Sequence, residues 1–119
     1  MRTTTCQTSE LIDMIIDLQE RSFDHDFILE HEHIRCLQYN EPILPDDFEI
    51  LETHHCEGNQ QLNSNYILYA IQLRSHAVKG ILMSNYKSYK YGMSMRLWQK
   101  FSAGIQKGYS KDQFLLRAN

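Results

Sequence analysis

Two apolar runs, residues 66–73 and 78–85, flank the polar break Arg74-Ser75-His76-Ala77. No other feature constrains the fold as much. Both runs are rich in Tyr, Ile or Leu, a strand composition, and a short connection between two such runs predicts a hairpin. One long helix over 66–83 is the competing reading, because Ile67, Ile71, Val78 and Leu82 also fit a helical stripe. Gly80 weighs against it. A glycine inside a helix costs about 1 kcal/mol relative to Ala, whereas in a strand it marks a bulge or a close approach by another element.

The same logic extends upstream. Phe48, Ile50, Glu52, His54 and Cys56 alternate with Glu49, Leu51, Thr53 and His55, and this period of two predicts a strand. Pro42 and Pro45 exclude regular structure between Glu41 and Asp46. Asp24-His25-Asp26 reads as a turn. Phe27-Ile28-Leu29 and Ile34, Cys36 and Leu37 read as two short strands joined near His31-Glu32-His33, with one helix over 28–39 as the rival.

Helical spacing marks two segments. Leu11, Ile15 and Leu18 recur over 9–22, with Thr8 or Ser9 as cap and Glu10 and Asp13 in the first turn. Asp17 and Arg21 can pair at i,i+4 on the wet side. Ser94 caps a second helix in which Leu97, Trp98, Phe101 and Ile105 share one face. The expected fold is α+β: an antiparallel sheet of four or five strands, with the N-terminal and C-terminal helices packed on one face. Residues 1–119 form a single domain, with 1–8 frayed and 106–119 a basic C-terminal extension.

A composition of 42% hydrophobic and 23% charged residues fits a globular chain rather than a disordered one. No 18-residue apolar run offers a membrane span, and the first residues lack the apolar stretch of a secretory signal. Cys6, Cys36 and Cys56 form an odd, widely spaced set. That predicts free thiols and a cytoplasmic location. Fourteen of the fifteen carboxylates fall in residues 1–73, and nine of the twelve Lys and Arg in residues 74–119. Such an asymmetry either marks an interaction surface or disappears when the two halves mix on one folded surface.

Candidate sites are few. On strands, His31 and His33 share a face, as do His54 and Cys56, and their convergence would offer imidazole and thiolate to a metal. Neither a Cys-x-x-Cys nor a His-Glu-x-x-His spacing accompanies them, so no metal is expected. Tyr86, Lys87, Tyr89, Lys90, Tyr91 and Arg96 interleave basic and aromatic groups, the pattern of single-strand nucleic-acid binding. The plainer alternative is tyrosines packed at a sheet edge with solvated lysines. Asp46, Asp47, Glu49 and Glu52 are acidic, but no spacing sets two of them as an acid and base pair.

Several motifs occur in a fixed order: Leu44-Pro45-Asp46-Asp47-Phe48-Glu49, then Glu57-Gly58, then Ile67-Leu68-Tyr69-Ala70-Ile71, then Lys79-Gly80-Ile81-Leu82. In this the chain resembles, over about residues 10–90, a small bacterial family often labelled phosphoribosylpyrophosphate synthetase-like. The resemblance implies a nucleotide- or phosphate-handling activity. The chain departs from that pattern at His54-His55-Cys56, where an aromatic–Arg–aromatic step is usual. It departs again at Asn59-Gln60-Gln61-Leu62-Asn63-Ser64-Asn65, where Asp residues are usual. It has no Gly-x-x-x-x-Gly-Lys-Ser/Thr loop, and its glycines at 58, 80, 92, 104 and 108 are scattered. With no catalytic spacing in view, the expected function is non-enzymatic. The chain reads as a small binding or regulatory protein with no cofactor, acting through a protein partner or a homo-oligomer. Phe114-Leu115-Leu116 is the apolar segment expected to dock.

Overall fold

The computed structural model describes residues 2–7, 10–57, 66–85 and 94–107. In chain order its elements are β1 (Arg2–Gln7), α1 (Leu11–Glu20), β2 (His25–Leu29), β3 (Ile34–Cys36), β4 (Glu41–Ile43), β5 (Phe48–Glu57), β6 (Tyr66–Leu73), β7 (Lys79–Asn85) and α2 (Met95–Lys107). The seven strands form one sheet in the order β1-β5-β6-β7-β2-β3-β4. β1 runs parallel to β5, and β2 runs parallel to β7. The remaining neighbours are antiparallel.

The sheet is therefore mixed and has seven strands, which overturns the expected antiparallel sheet of four or five. Two strands were hidden from a local reading. β1 lies in the segment expected to fray, yet it pairs along its length with β5. β4 contains Pro42, which argues locally against a strand, but it is an outer strand, where a missing N–H need not interrupt a ladder. The presumed turn at Asp24-His25-Asp26 is also partly strand, since β2 begins at His25.

The two helices lie on opposite faces, not on one. Ile67, Tyr69 and Ile71 of β6 pack with Leu97 and Phe101 of α2. Leu68 and Ala70, pointing the other way, pack with Leu18 of α1. β6 is thus buried on both sides. Its continuous apolar run from Ile67 to Ile71 follows from that, where a half-exposed strand would alternate. The expected hairpin of β6 and β7 is present, as are the two short strands expected at Phe27-Ile28-Leu29 and from Ile34 on, observed as His25–Leu29 and Ile34–Cys36. Gly80 permits a close approach by β2: a Cβ there would lie 2.6 Å from the Phe27 ring and closer still to the His25 carbonyl.

β5 does not alternate strictly. Its register against β6 shifts between Ile50 and Glu52. This bulge leaves Leu51 as the extra residue and exchanges the faces beyond it. Phe48 joins the α2-side core and Ile50 packs against it, while Glu52 and His54 stand opposite Ala70 and Leu68 on the α1 side.

The end of α1 is set by backbone geometry. Ser22 has φ 76°. Its N–H donates to the Gln19 carbonyl, the Phe23 N–H donates to the Leu18 carbonyl, and Phe23 and Leu18 share one apolar cluster. These bonds and that contact make a Schellman motif. At the other end the N-cap is Glu10 and makes no side-chain cap bond. Thr8 and Ser9, expected to cap, lie outside the described residues. α2 begins as expected, with the Leu97 N–H donating to Ser94 Oγ at 3.3 Å.

Candidate functional site

The bulge in β5 assembles a polar row under α1. Glu52 and His54 are two residues apart on β5, so both face α1. His54 Nε2 lies 2.9 Å from Glu52 Oε1. Arg21, at the Schellman turn, donates from Nη1 to Glu52 Oε2 at 2.5 Å and from Nη2 to Oε1 at 3.1 Å. It also holds Asp17 at 2.9 Å, the helical pair expected from spacing. Across the parallel ladder, Thr4 is the register partner of His54, and its hydroxyl bonds His54 Nδ1. Arg21, Glu52, His54 and Thr4 thus form a continuous chain of hydrogen bonds, with His54 only 1% exposed.

The Arg21 guanidinium holds the Glu52 carboxyl down at about 2, against the opposing effect of burial, with His54 assisting. The same pairing raises the guanidinium's own pKa, again Glu52 first. Glu52 is therefore ionised and only accepts, so His54 Nε2 carries a proton. In the neutral ring Nδ1 then accepts from the Thr4 hydroxyl. Hydroxyl, imidazole and carboxylate stand in the order of a nucleophile relay. The bidentate arginine, however, makes Glu52 a weak base. The row's evident work is to tie three elements together: β1, β5 and the end of α1.

The candidate ligands His31, His33, His54 and Cys56 do not converge. Both His54 ring nitrogens are engaged, and Cys56 is disulfide-bonded rather than a free thiol. Cys36 is free and buried in the α2-side core. His33 bonds Glu30 at 2.7 Å beside β3. β3 stands four strand steps from β5, about 19 Å at the usual strand spacing. His31 is exposed in the same turn, where its carbonyl accepts the Ser94 N–H. Among the described residues no group of three His, Cys, Asp or Glu is placed to hold a metal.

Of the basic and aromatic set, Tyr86, Lys87, Tyr89, Lys90 and Tyr91 lie outside the described residues. Arg96 begins α2 and pairs with Asp46. That ion pair holds the Asp46 carboxyl below its ordinary value. Lys100 donates to the carbonyls of Pro45 and Phe48, and burial lowers its pKa. Arg74 meets Glu49 at 3.6 Å. The acidic and basic halves of the sequence therefore mix where α2 meets residues 45–49. Phe114, Leu115 and Leu116 lie outside the described residues, as do the Asn/Gln loop at 59–65 and Gly58.

Two surfaces escaped the sequence reading. One is a recess of about 310 Å³ at the β4 end of the sheet, lined by Cys36, Tyr39, Glu41, Ile43, Leu73, His76 and Val78. Its lining comes from two stretches some thirty residues apart, 36–43 and 73–78, so no local pattern announces it. The other is the open part of the α1 face. Asp26 pairs with Ile81 and Phe27 with Leu82, so Ile28 lies beside Met83 on that face. They are 40% and 51% exposed. Arg35 is the register partner of Ile28 and bonds Glu30 at 2.8 Å. No helix of the described residues is long and apolar enough to cross a membrane. The chain matches no protein-family model, no curated protein and no solved structure.

Proposed function

We propose that this is a small non-enzymatic binding protein that acts by self-association through the open part of its α1 face. The observation that carries the reading is the pair Ile28 and Met83, two large aliphatic side chains set side by side on an uncovered sheet face. Water-facing strand positions usually carry polar groups. The adjoining Glu30–Arg35 pair favours a second copy as the occupant. A two-fold twin would bring Arg35 against Glu30 and Glu30 against Arg35 around an apolar centre. Ile12 and Ile16 add a second exposed aliphatic stripe on α1.

Sedimentation equilibrium over a concentration series tests this. The wild-type chain is expected to form a dimer, and Met83→Glu and Ile28→Glu to remain monomeric, with thermal midpoints equal to that of wild type diluted to its monomeric range. A wild-type chain that stays monomeric throughout overturns it. We place this protein in the cytoplasm, where the bond at Cys56 would meet reducing partners.

A second reading rests on the recess, whose volume suits a small ligand. Its polar groups are Tyr39, Glu41, His76 and the Cys36 thiol. The phosphate handling implied by the family resemblance would be better served by Lys or Arg in such a site. A thermal-shift screen with ATP, ribose 5-phosphate and Mg²⁺ decides that point, because a ligand that binds only the folded chain must raise its stability.

A further inference from the structure

We propose that the disulfide at Cys56 is a redox latch that fastens the edge strand β1 to the sheet. Cys56 is disulfide-bonded and Cys36 is free, and the chain has three cysteines. The parallel register sets Cys6 of β1 level with Cys56 of β5. β1 is an outermost strand whose ladder partner is β5. A side-chain tie between the same two strands, Thr4 to His54, lies two residues back.

What β1 does not do gives the latch its meaning. Among the described residues, neither apolar cluster includes a β1 side chain. The cores on both faces are built from β2 to β7 and the helices, so β1 can leave without dismantling them. Among the described residues, β1 is held by its ladder to β5 and by the hydroxyl–imidazole bond of Thr4; the proposed disulfide would add a covalent tie. When β1 leaves, the outer edge of β5 is uncovered and His54 Nδ1 loses its Thr4 partner.

The chemistry needs a small dithiol reductant. Its thiolate attacks one sulfur of the bond, giving a mixed disulfide and releasing the other cysteine as a thiolate. The reductant's second thiol then closes its own disulfide and releases the remaining cysteine. Two electrons and two protons pass to the protein, leaving two cysteine thiols and one oxidised dithiol. Because Cys56 is buried, attack waits on opening of the β1 edge, the kind of local opening expected of an edge strand.

Hydrogen exchange on the full chain, read by mass spectrometry with and without dithiothreitol at neutral pH, tests the latch. Oxidised protein is expected to protect residues 2–7. Reduction should speed their exchange at least tenfold and leave β6 and β7 unchanged. Cys6→Ser and Cys56→Ser should each reproduce the reduced pattern without reductant, and Cys36→Ser should behave as wild type. Non-reducing peptide mapping is expected to find Cys56 linked to Cys6. Equal protection of residues 2–7 in both redox states overturns the proposal. So does a Cys56–Cys36 link, or failure of the bond to form in an oxidising glutathione buffer.

Discussion

The two faces of the sheet are built differently. On the α2 side, Phe48, Tyr69 and Phe101 stack at centroid distances of 5.8 and 4.8 Å within a large apolar cluster. On the α1 side the apolar cluster is smaller, and the polar row Arg21–Glu52–His54–Thr4 lies beside it. One face supplies packing energy. The other gives up part of that energy to place charged and hydroxyl groups, and leaves Ile28 and Met83 in water. A sheet buried on both sides at β6 can carry this imbalance because its central strand is secured from the α2 side.

The widest test of that contrast compares truncations. Phe101→Ala removes a fully buried ring from the aromatic stack and is expected to cost about 3–5 kcal/mol. Leu18→Ala, equally buried in the smaller cluster, should cost about 2–3 kcal/mol. Urea unfolding of both variants gives the ranking. If Leu18→Ala proves the more damaging, the α2 face is not the dominant core. Next in size is Gly80→Ala, whose added methyl would press on the His25 carbonyl and the Phe27 ring. It should lower stability by about 1–3 kcal/mol, with its effect centred on β2. Exchange rates in β2 that match wild type would refute the close packing of β2 on β7.

The polar row gives a pH signature that the α2 face lacks. Glu52 is held at about 2, below its ordinary 4.5, chiefly by the hydrogen bonds from Arg21. A carboxyl depressed on folding contributes stability that is full above its unfolded value and is lost as pH falls through its folded one. Wild-type protein should therefore lose about 1–2 kcal/mol between about pH 5 and pH 2 through this group, a figure reduced because Arg21 is partly exposed. Glu52→Gln should flatten that part of the profile. An unchanged acid limb in the variant would show that the row contributes nothing to stability.

These contrasts were unevenly legible in the sequence. The β6–β7 hairpin, β5 and the Ser94 cap could be read because each leaves a local mark: an apolar run, a period of two, a hydroxyl before a stripe. β1 could not, since Arg2–Gln7 is polar and its partner lies some fifty residues away along the chain. The polar row was hidden for a related reason. Asp17 and Arg21 were visible as a helical pair, but nothing in their spacing pointed to Glu52. The bulge at Leu51 then reversed which side of β5 each residue takes. His54 and Cys56 do share a face, as alternation requires, yet neither has the free atoms that a metal needs. The placement of the helices on opposite faces was also carried in the sequence, in the apolar run Ile67–Ile71 of β6. Recognising it required reading that run as buried twice rather than as an ordinary hairpin arm.

The smallest expected effect tests how α1 delivers Arg21 to the row. Ser22 adopts the left-handed conformation at φ 76°, where a side chain is disfavoured and glycine is at ease. Ser22→Gly should relieve that strain at some entropic expense in the unfolded chain, for a net gain of about 0.5 kcal/mol. The gain should appear as a slightly higher urea midpoint, with the acid limb due to Glu52 unchanged. That second readout separates two roles for the turn. If the Phe23–Leu18 bond and contact fix the helix end, glycine keeps Arg21 over Glu52 and the pH profile stays as it is. If Ser22 itself steers the arginine, the acid limb flattens as it does in Glu52→Gln. The α1 face would then depend on a single strained residue rather than on its packing.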